Sequence, residues 1–170
     1  MKVRFDELIH AWQVNHAINL ELLGLCEDED FELKPGKGKT IRSNFVHIVS
    51  VRRQWIEAMM KKAIDRVPKL DWKVANREQI IAGLESSKEG MQEVFVKLND
   101  TSSALGLFTY CIAHEANHRA QIEIALRIHD REPSDEAIYS LWDWSKRMGK
   151  LRIMFRRSSH IAVSVPSEKV

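Results

Sequence analysis

Cysteine is scarce in this chain: Cys26 and Cys111 are the only two in 170 residues. Two thiols build no disulfide framework, and lone thiols suit a reducing compartment. No uninterrupted apolar run approaches the roughly 20 residues that span a bilayer, and the opening Met1-Lys2-Val3-Arg4-Phe5-Asp6-Glu7 holds no apolar leader. A cytoplasmic protein without a membrane partner is expected. Charge of one sign is also missing in bulk, since 26 basic residues against 24 acidic ones leave a net of +2. Nucleic acid as the main ligand calls for a dense basic stripe, which that balance does not supply. Arg152, Arg156 and Arg157 near the end read as a solvated face. Internal repeats and low-complexity segments are absent, and strand patterns are absent before the tail.

What is present is ordinary globular composition, 44% hydrophobic and 29% charged, in a length that suits one domain with its own core. The spacing predicts a first helix from about Arg4 to Cys26. Phe5, Leu8, Trp12, Asn15, Asn19 and Leu22 form its inward stripe, flanked by Ile9, His16 and Leu23. Gly24 and the acidic Glu27-Asp28-Glu29-Asp30 end it, and Lys34-Pro35-Gly36-Lys37-Gly38-Lys39 makes a loop. Thr40 or Ser43 caps a second helix that runs to about Lys62, with Ile41, Phe45, Ile48, Trp55, Ile56 and Met59 inward. His47 sits at the edge of that stripe, beside Val51, and by itself reads as a boundary residue.

A turn at Arg66-Val67-Pro68 precedes a third helix from about Asn76 to Leu98, where Ser87 and Gly90 leave room on the inner face. Asn99 to Ser103 is a break with capping residues, and a fourth helix follows from about Ser103 to Ile128. Four long helices without strands predict an all-α four-helix bundle. Ser134 restarts the chain as an N-cap, and a short fifth helix with Ile138, Leu141, Trp142 and Met148 is expected against the bundle. Residues 1–149 then form the bundle domain and 150–170 a C-terminal extension. In that extension Leu151, Ile153 and Phe155 alternate with Arg152, Met154 and Arg156, and Ile161, Val163 and Val165 alternate with Ala162 and Ser164, which reads as a β-hairpin or as disorder.

The chemistry lies on the fourth helix. His114 and His118 are four residues apart, so their imidazoles share one face. They fall within the seam Leu107, Cys111, His114, His118, Gln121, Ala125 and Ile128, whose alternating spacing faces partner helices. Burying an imidazole without a partner costs roughly 1–3 kcal/mol, so polar residues mid-seam need a reason. One reason is a polar core layer satisfied by neighbouring helices, and another is a bound metal. A catalytic site takes three protein ligands and keeps one position open. The third ligand is His47, Cys111 or His16, and spacing alone does not choose among them.

A first helix with Trp12 and Asn15, then Lys34-Pro35-Gly36, then Thr40-Ile41-Arg42-Ser43-Asn44-Phe45-Val46-His47-Ile48-Val49, then His114 through His118-Arg119-Ala120-Gln121, resembles the DinB-like (YfiT-like) family of metal-dependent enzymes. The likeness spans about Phe5 to Trp144. It implies up-down-down-up connectivity, a homodimer and a divalent metal held by His47, His114 and His118, with nickel or zinc suited to imidazole. Ser43, Asn44 and Gln121 would be pocket residues or supports for the ligands. The tail after about Lys150 departs from the family pattern.

The resemblance includes hydrolases and enzymes that transfer low-molecular-weight thiols. Thiol-dependent transfer to a small-molecule substrate is the expected reaction, with hydrolysis second. Glu115 follows His114 but points about 100° away around the helix, which leaves no evident partner base. The contrasting expectation is a non-catalytic metal-binding or structural bundle.

Overall fold

The computed structural model describes residues 5–98 and 101–147. The tail read as a hairpin, and Met148, lie outside the described residues. Six helices make up the described chain, with no strand among them: α1 Phe5–Gly24, α2 Ile41–Met59, α3 Arg77–Leu98, α4 Thr101–Ile128, α5 Asp135–Leu141 and α6 Trp144–Arg147. The architecture is an all-α helical bundle built from α1 to α4. No described helix is long and apolar enough to cross a membrane.

Local chemistry explains the boundaries. Thr40 caps α2 by accepting from the Ser43 amide, and Ser134 caps α5 by accepting from the Ala137 amide. Asn76 and Gln79 exchange side-chain and backbone hydrogen bonds ahead of α3, a reciprocal cap. The second helix is shorter than the expected run to Lys62. It ends at Met59, and Lys61–Arg66 tightens into a 3-10 turn that buries Ala63 and Ile64. The acidic stretch after α1 likewise forms a 3-10 turn, Asp28–Glu32. Its Phe31 is buried and carries the Arg42 and Arg77 guanidiniums over its ring at 5.3 and 5.2 Å.

Helix directions follow from the side chains that meet. Arg77 at the start of α3 donates to the Leu23 and Cys26 carbonyls beyond the middle of α1, and Trp12 Nε1 donates to the Lys88 carbonyl, so α1 and α3 are antiparallel. Val49 packs over Gly83 and Ile56 over Gly90, so α2 and α3 run parallel. Asn44 meets His118 and Trp55 meets Tyr110, so α2 and α4 are antiparallel. The order is up-down-down-up, with α1 and α2 each packed on α3 and α4. Gly90 is required by the parallel contact, because a Cβ there would stand 2.5 Å from Ile56 Cδ1.

The core is apolar around Trp12, Ile18, Leu22, Phe45, Ile48, Ile56, Ile80, Leu84, Phe95 and Ile122, all at most 1% exposed. Leu107, Cys111, His118 and Ala125 of the expected seam are buried, but the inward face of α4 is shifted toward Glu115 and Arg119. Ile128 is 53% exposed and His114 and Gln121 are half-buried, whereas Glu115, Arg119, Ile122 and Leu126 are buried. The reason is electrostatic pairing across the bundle. Arg52 takes the inward seat between Ile48 and Ile56 on α2, and Glu115 must turn inward to meet it. On α5, Leu141 is buried and Ile138 half-buried as expected, but Trp142 is 41% exposed.

Candidate metal centre

His47 on α2 and His114 and His118 on α4 converge. One ring nitrogen from each lies within 4.8 Å of the other two. The ring centroids stand 5.3 Å apart for His47 and His114, 4.8 Å for His47 and His118, and 4.5 Å for His114 and His118. Antiparallel packing of α2 on α4 makes this possible, because it sets the first two turns of α2 beside the middle of α4.

The hydrogen bonds determine which nitrogen of His118 is free. Asn44 is fully buried, and its Nδ2 donates to the carbonyls of Lys39 at 3.3 Å and Thr40 at 3.0 Å. That orients its Oδ1 toward His118 Nδ1, 2.7 Å away, and an amide oxygen only accepts. His118 Nδ1 therefore carries the proton, and its Nε2 presents a lone pair toward His114 Nε2 at 3.1 Å. Holding the far nitrogen of a ligating imidazole is how proteins set tautomer and ring angle at metal sites.

The donor set fits a divalent ion. Two nitrogens bound to one ion at roughly 2.0–2.1 Å stand about 2.9–3.4 Å apart for bond angles between square and tetrahedral, and the His114–His118 pair already does so. Burial, followed by the nearby Lys39 charge, lowers the His47 pKa, and burial also lowers that of His114. His118 is lowered to about 4 by burial, then by His114 and His47. Neutral imidazoles are the form a metal takes. Tyr110, one turn before His114, stacks on its ring with centroids 5.7 Å apart and planes 14° from parallel.

The other two candidates for a third ligand stand elsewhere. Cys111 is buried, and burial followed by the Glu115 charge pushes its thiol up to about 12. His16 faces the opposite pair, with Nε2 3.2 Å from the Glu85 carboxylate and Nδ1 3.5 Å from Arg52 Nη1. Gln121 is half-buried on α4, and Ser43 opens onto a groove beside His47.

Behind the histidines lies a charged layer that sequence reasoning missed. Glu115 Oε1 accepts from Arg52 Nε at 2.7 Å, and its Oε2 accepts from Arg52 Nη2, Asn15 Nδ2 and Asn19 Nδ2 at 2.8, 2.6 and 2.7 Å. Arg119 Nη1 then donates to the oxygens of both asparagines. Burial alone would raise the Glu115 carboxyl, but the Arg52 guanidinium and the asparagine amides hold it below the usual carboxylate range. Arg52 also lies over the Trp12 indole at 4.6 Å. The signal in the sequence was the pair Asn15 and Asn19, polar residues four apart on an otherwise apolar stripe.

No family model, curated protein or solved structure matches this chain.

Proposed function

We propose that this chain is a metal-dependent enzyme of the DinB-like kind, in which His47, His114 and His118 hold a divalent nickel or zinc ion. The observation that carries the reading is the convergence of three ring nitrogens from two helices within 4.8 Å, one of them locked by Asn44 into the tautomer that offers its lone pair. The chemistry such an ion supplies when bound is Lewis acidity, which renders a thiol or a water nucleophilic near neutral pH.

The residues around the cluster favour thiol-dependent transfer to a small-molecule substrate over hydrolysis. Activating a water benefits from a nearby carboxylate that takes its proton. Glu115, the carboxylate nearest in sequence, is turned into the core and engaged by Arg52. A low-molecular-weight thiol brings its own nucleophile and needs no such base. Tyr110 covers one face of His114 and limits its swing. On this reading the protein works in the cytoplasm, as a homodimer.

The experiment is equilibrium dialysis of untagged protein against nickel and zinc, with thermal unfolding of the same samples. About one ion per chain is expected, with stability raised by roughly 2.7 kcal/mol when free metal is a hundred times the dissociation constant. His47→Ala and His114→Ala should abolish that gain. Absence of bound metal from the wild-type chain overturns the reading. A metal-replete protein that turns over no electrophile with thiol or water would instead be a structural metalloprotein.

A further inference from the structure

Beside His47 a groove of about 400 Å³ opens to the surface, lined by Lys39, Ser43, Ser50, Leu70 and Trp72 together with His47 itself. Its lining is of two kinds. Lys39 and Ser43 stand at the start of α2, where the helix leaves backbone N–H groups and partial positive charge. Leu70 and Trp72 supply an apolar part of the lining, and Trp72 is 57% exposed, with Lys73 Nζ over its ring at 5.0 Å.

Lys39 Nζ makes no ion pair among the described residues, and the Ser43 hydroxyl makes no hydrogen bond there. By contrast Ser50 spends its hydroxyl proton on the Val46 carbonyl, at 2.8 Å. The groove therefore holds one uncompensated cation and one idle hydroxyl, both at the start of α2. Lys39 is also tied to the histidines. Its carbonyl accepts from the same Asn44 amide that orients His118, so its backbone has a fixed place relative to the cluster.

From this juxtaposition we infer that the groove binds the substrate through an acidic group, a carboxylate or a phosphate, held by Lys39 and Ser43, with its apolar or aromatic body against Leu70 and Trp72. The inference rests on the proposed function in one respect, that the histidine cluster is the reacting centre the groove leads to. An acid seated at Lys39 sets the rest of the molecule alongside His47. A neutral or cationic molecule of the same shape lacks the partner that Lys39 offers.

The test uses 3-phenylpropanoate and its neutral amide, titrated into the full chain with and without zinc. Binding is followed by the Trp72 indole N–H resonance, assigned through Trp72→Phe. The acid should bind tighter than the amide by about fivefold, the worth of one ion pair near 4 Å in water. Lys39→Gln should remove that preference and leave both amide binding and zinc content unchanged. Inorganic phosphate should displace the acid in competition. Equal affinity for acid and amide overturns the inference, as does an acid preference that survives Lys39→Gln. An acid preference seen only with zinc and insensitive to Lys39 also overturns it, because the ion itself then takes the carboxylate. Failure of the metal reading is seen separately, as absence of bound zinc, since the acid-against-amide comparison is equally readable in the zinc-free chain.

Discussion

Asn44 Oδ1 accepts a 2.7 Å hydrogen bond from His118 Nδ1, and it does so from a fully buried position one turn into α2. Because the amide nitrogen of Asn44 is committed to the Lys39 and Thr40 carbonyls, the oxygen cannot exchange places with it without losing both. The bond links the start of one helix to the tautomer of an imidazole on another.

The first prediction follows from that link. Asn44→Ala frees His118 to rotate and to take its proton on the nitrogen that would face the ion. Loss of such a support commonly weakens metal affinity by about 10–100-fold. Competition against a chromophoric chelator should show a drop of that size for nickel or zinc. Affinity equal to wild type in a variant that still unfolds cooperatively would mean that Asn44 merely braces the start of α2 through the Lys39 and Thr40 carbonyls.

A second prediction concerns the charged layer. Arg52 and Glu115 are each 1% exposed and pair directly, with the asparagine amides and the buried Arg119 guanidinium around them. Removing one partner strands the other in the core, at a cost of about 3–5 kcal/mol. Arg52→Met should lower stability by that amount in urea unfolding. Arg52→Met combined with Glu115→Met should cost less than the two single losses added together, since no carboxylate is then buried without its cation. A double variant whose loss equals the sum of the single losses would show that the two side chains do not act as a pair.

Much of this was legible beforehand, and the part that was not has a common cause. Apolar spacing marked α1, α2, α3 and α4 to within a few residues, and the start of α5, because those stripes are apolar and their caps are local; α5 ends at Leu141, short of the expected Trp142. The pair His114 and His118 was visible from its spacing. Joining His47 to it needed the antiparallel α2–α4 contact, a property of packing. What apolar spacing alone misplaced was one side of the inward face of α4, since Leu107, Cys111, His118 and Ala125 are buried as expected but His114, Gln121 and Ile128 are not. A stripe drawn through His114 and Gln121 assigns Glu115 to solvent, since an isolated charge inside a core is prohibitive. Only its pairing with Arg52, 63 positions away, makes the buried position favourable. A single chain shows two separate charged residues, and nothing in either one's neighbours reveals that they meet.

The third prediction is a pH dependence centred on His16, which is 4% exposed and lies outside the metal cluster. It is lowered from 6.5 to about 4 by burial first and by the Arg52 charge second, against the opposing Glu85 carboxylate, with Lys88 adding a small further decrease. Those three side chains, from α2 and α3, are the charged groups that act on it. Between pH 6.5 and about 4 the unfolded chain takes up a proton that the folded chain refuses, so this contribution is fully present above 6.5 and is lost as pH falls through that window. By about pH 5 the loss should approach 2 kcal/mol, since each pKa unit is worth about 1.36 kcal/mol. Urea unfolding of the metal-free chain, with chelator present, should show it as a difference between wild type and His16→Gln. The subtraction removes the dependence that His47, His114 and His118 contribute with the same sign. If the two proteins lose stability in parallel between pH 7.5 and about pH 5, His16 is protonated in the folded state. Its contact with Glu85 would then offset its burial and the Arg52 charge in full.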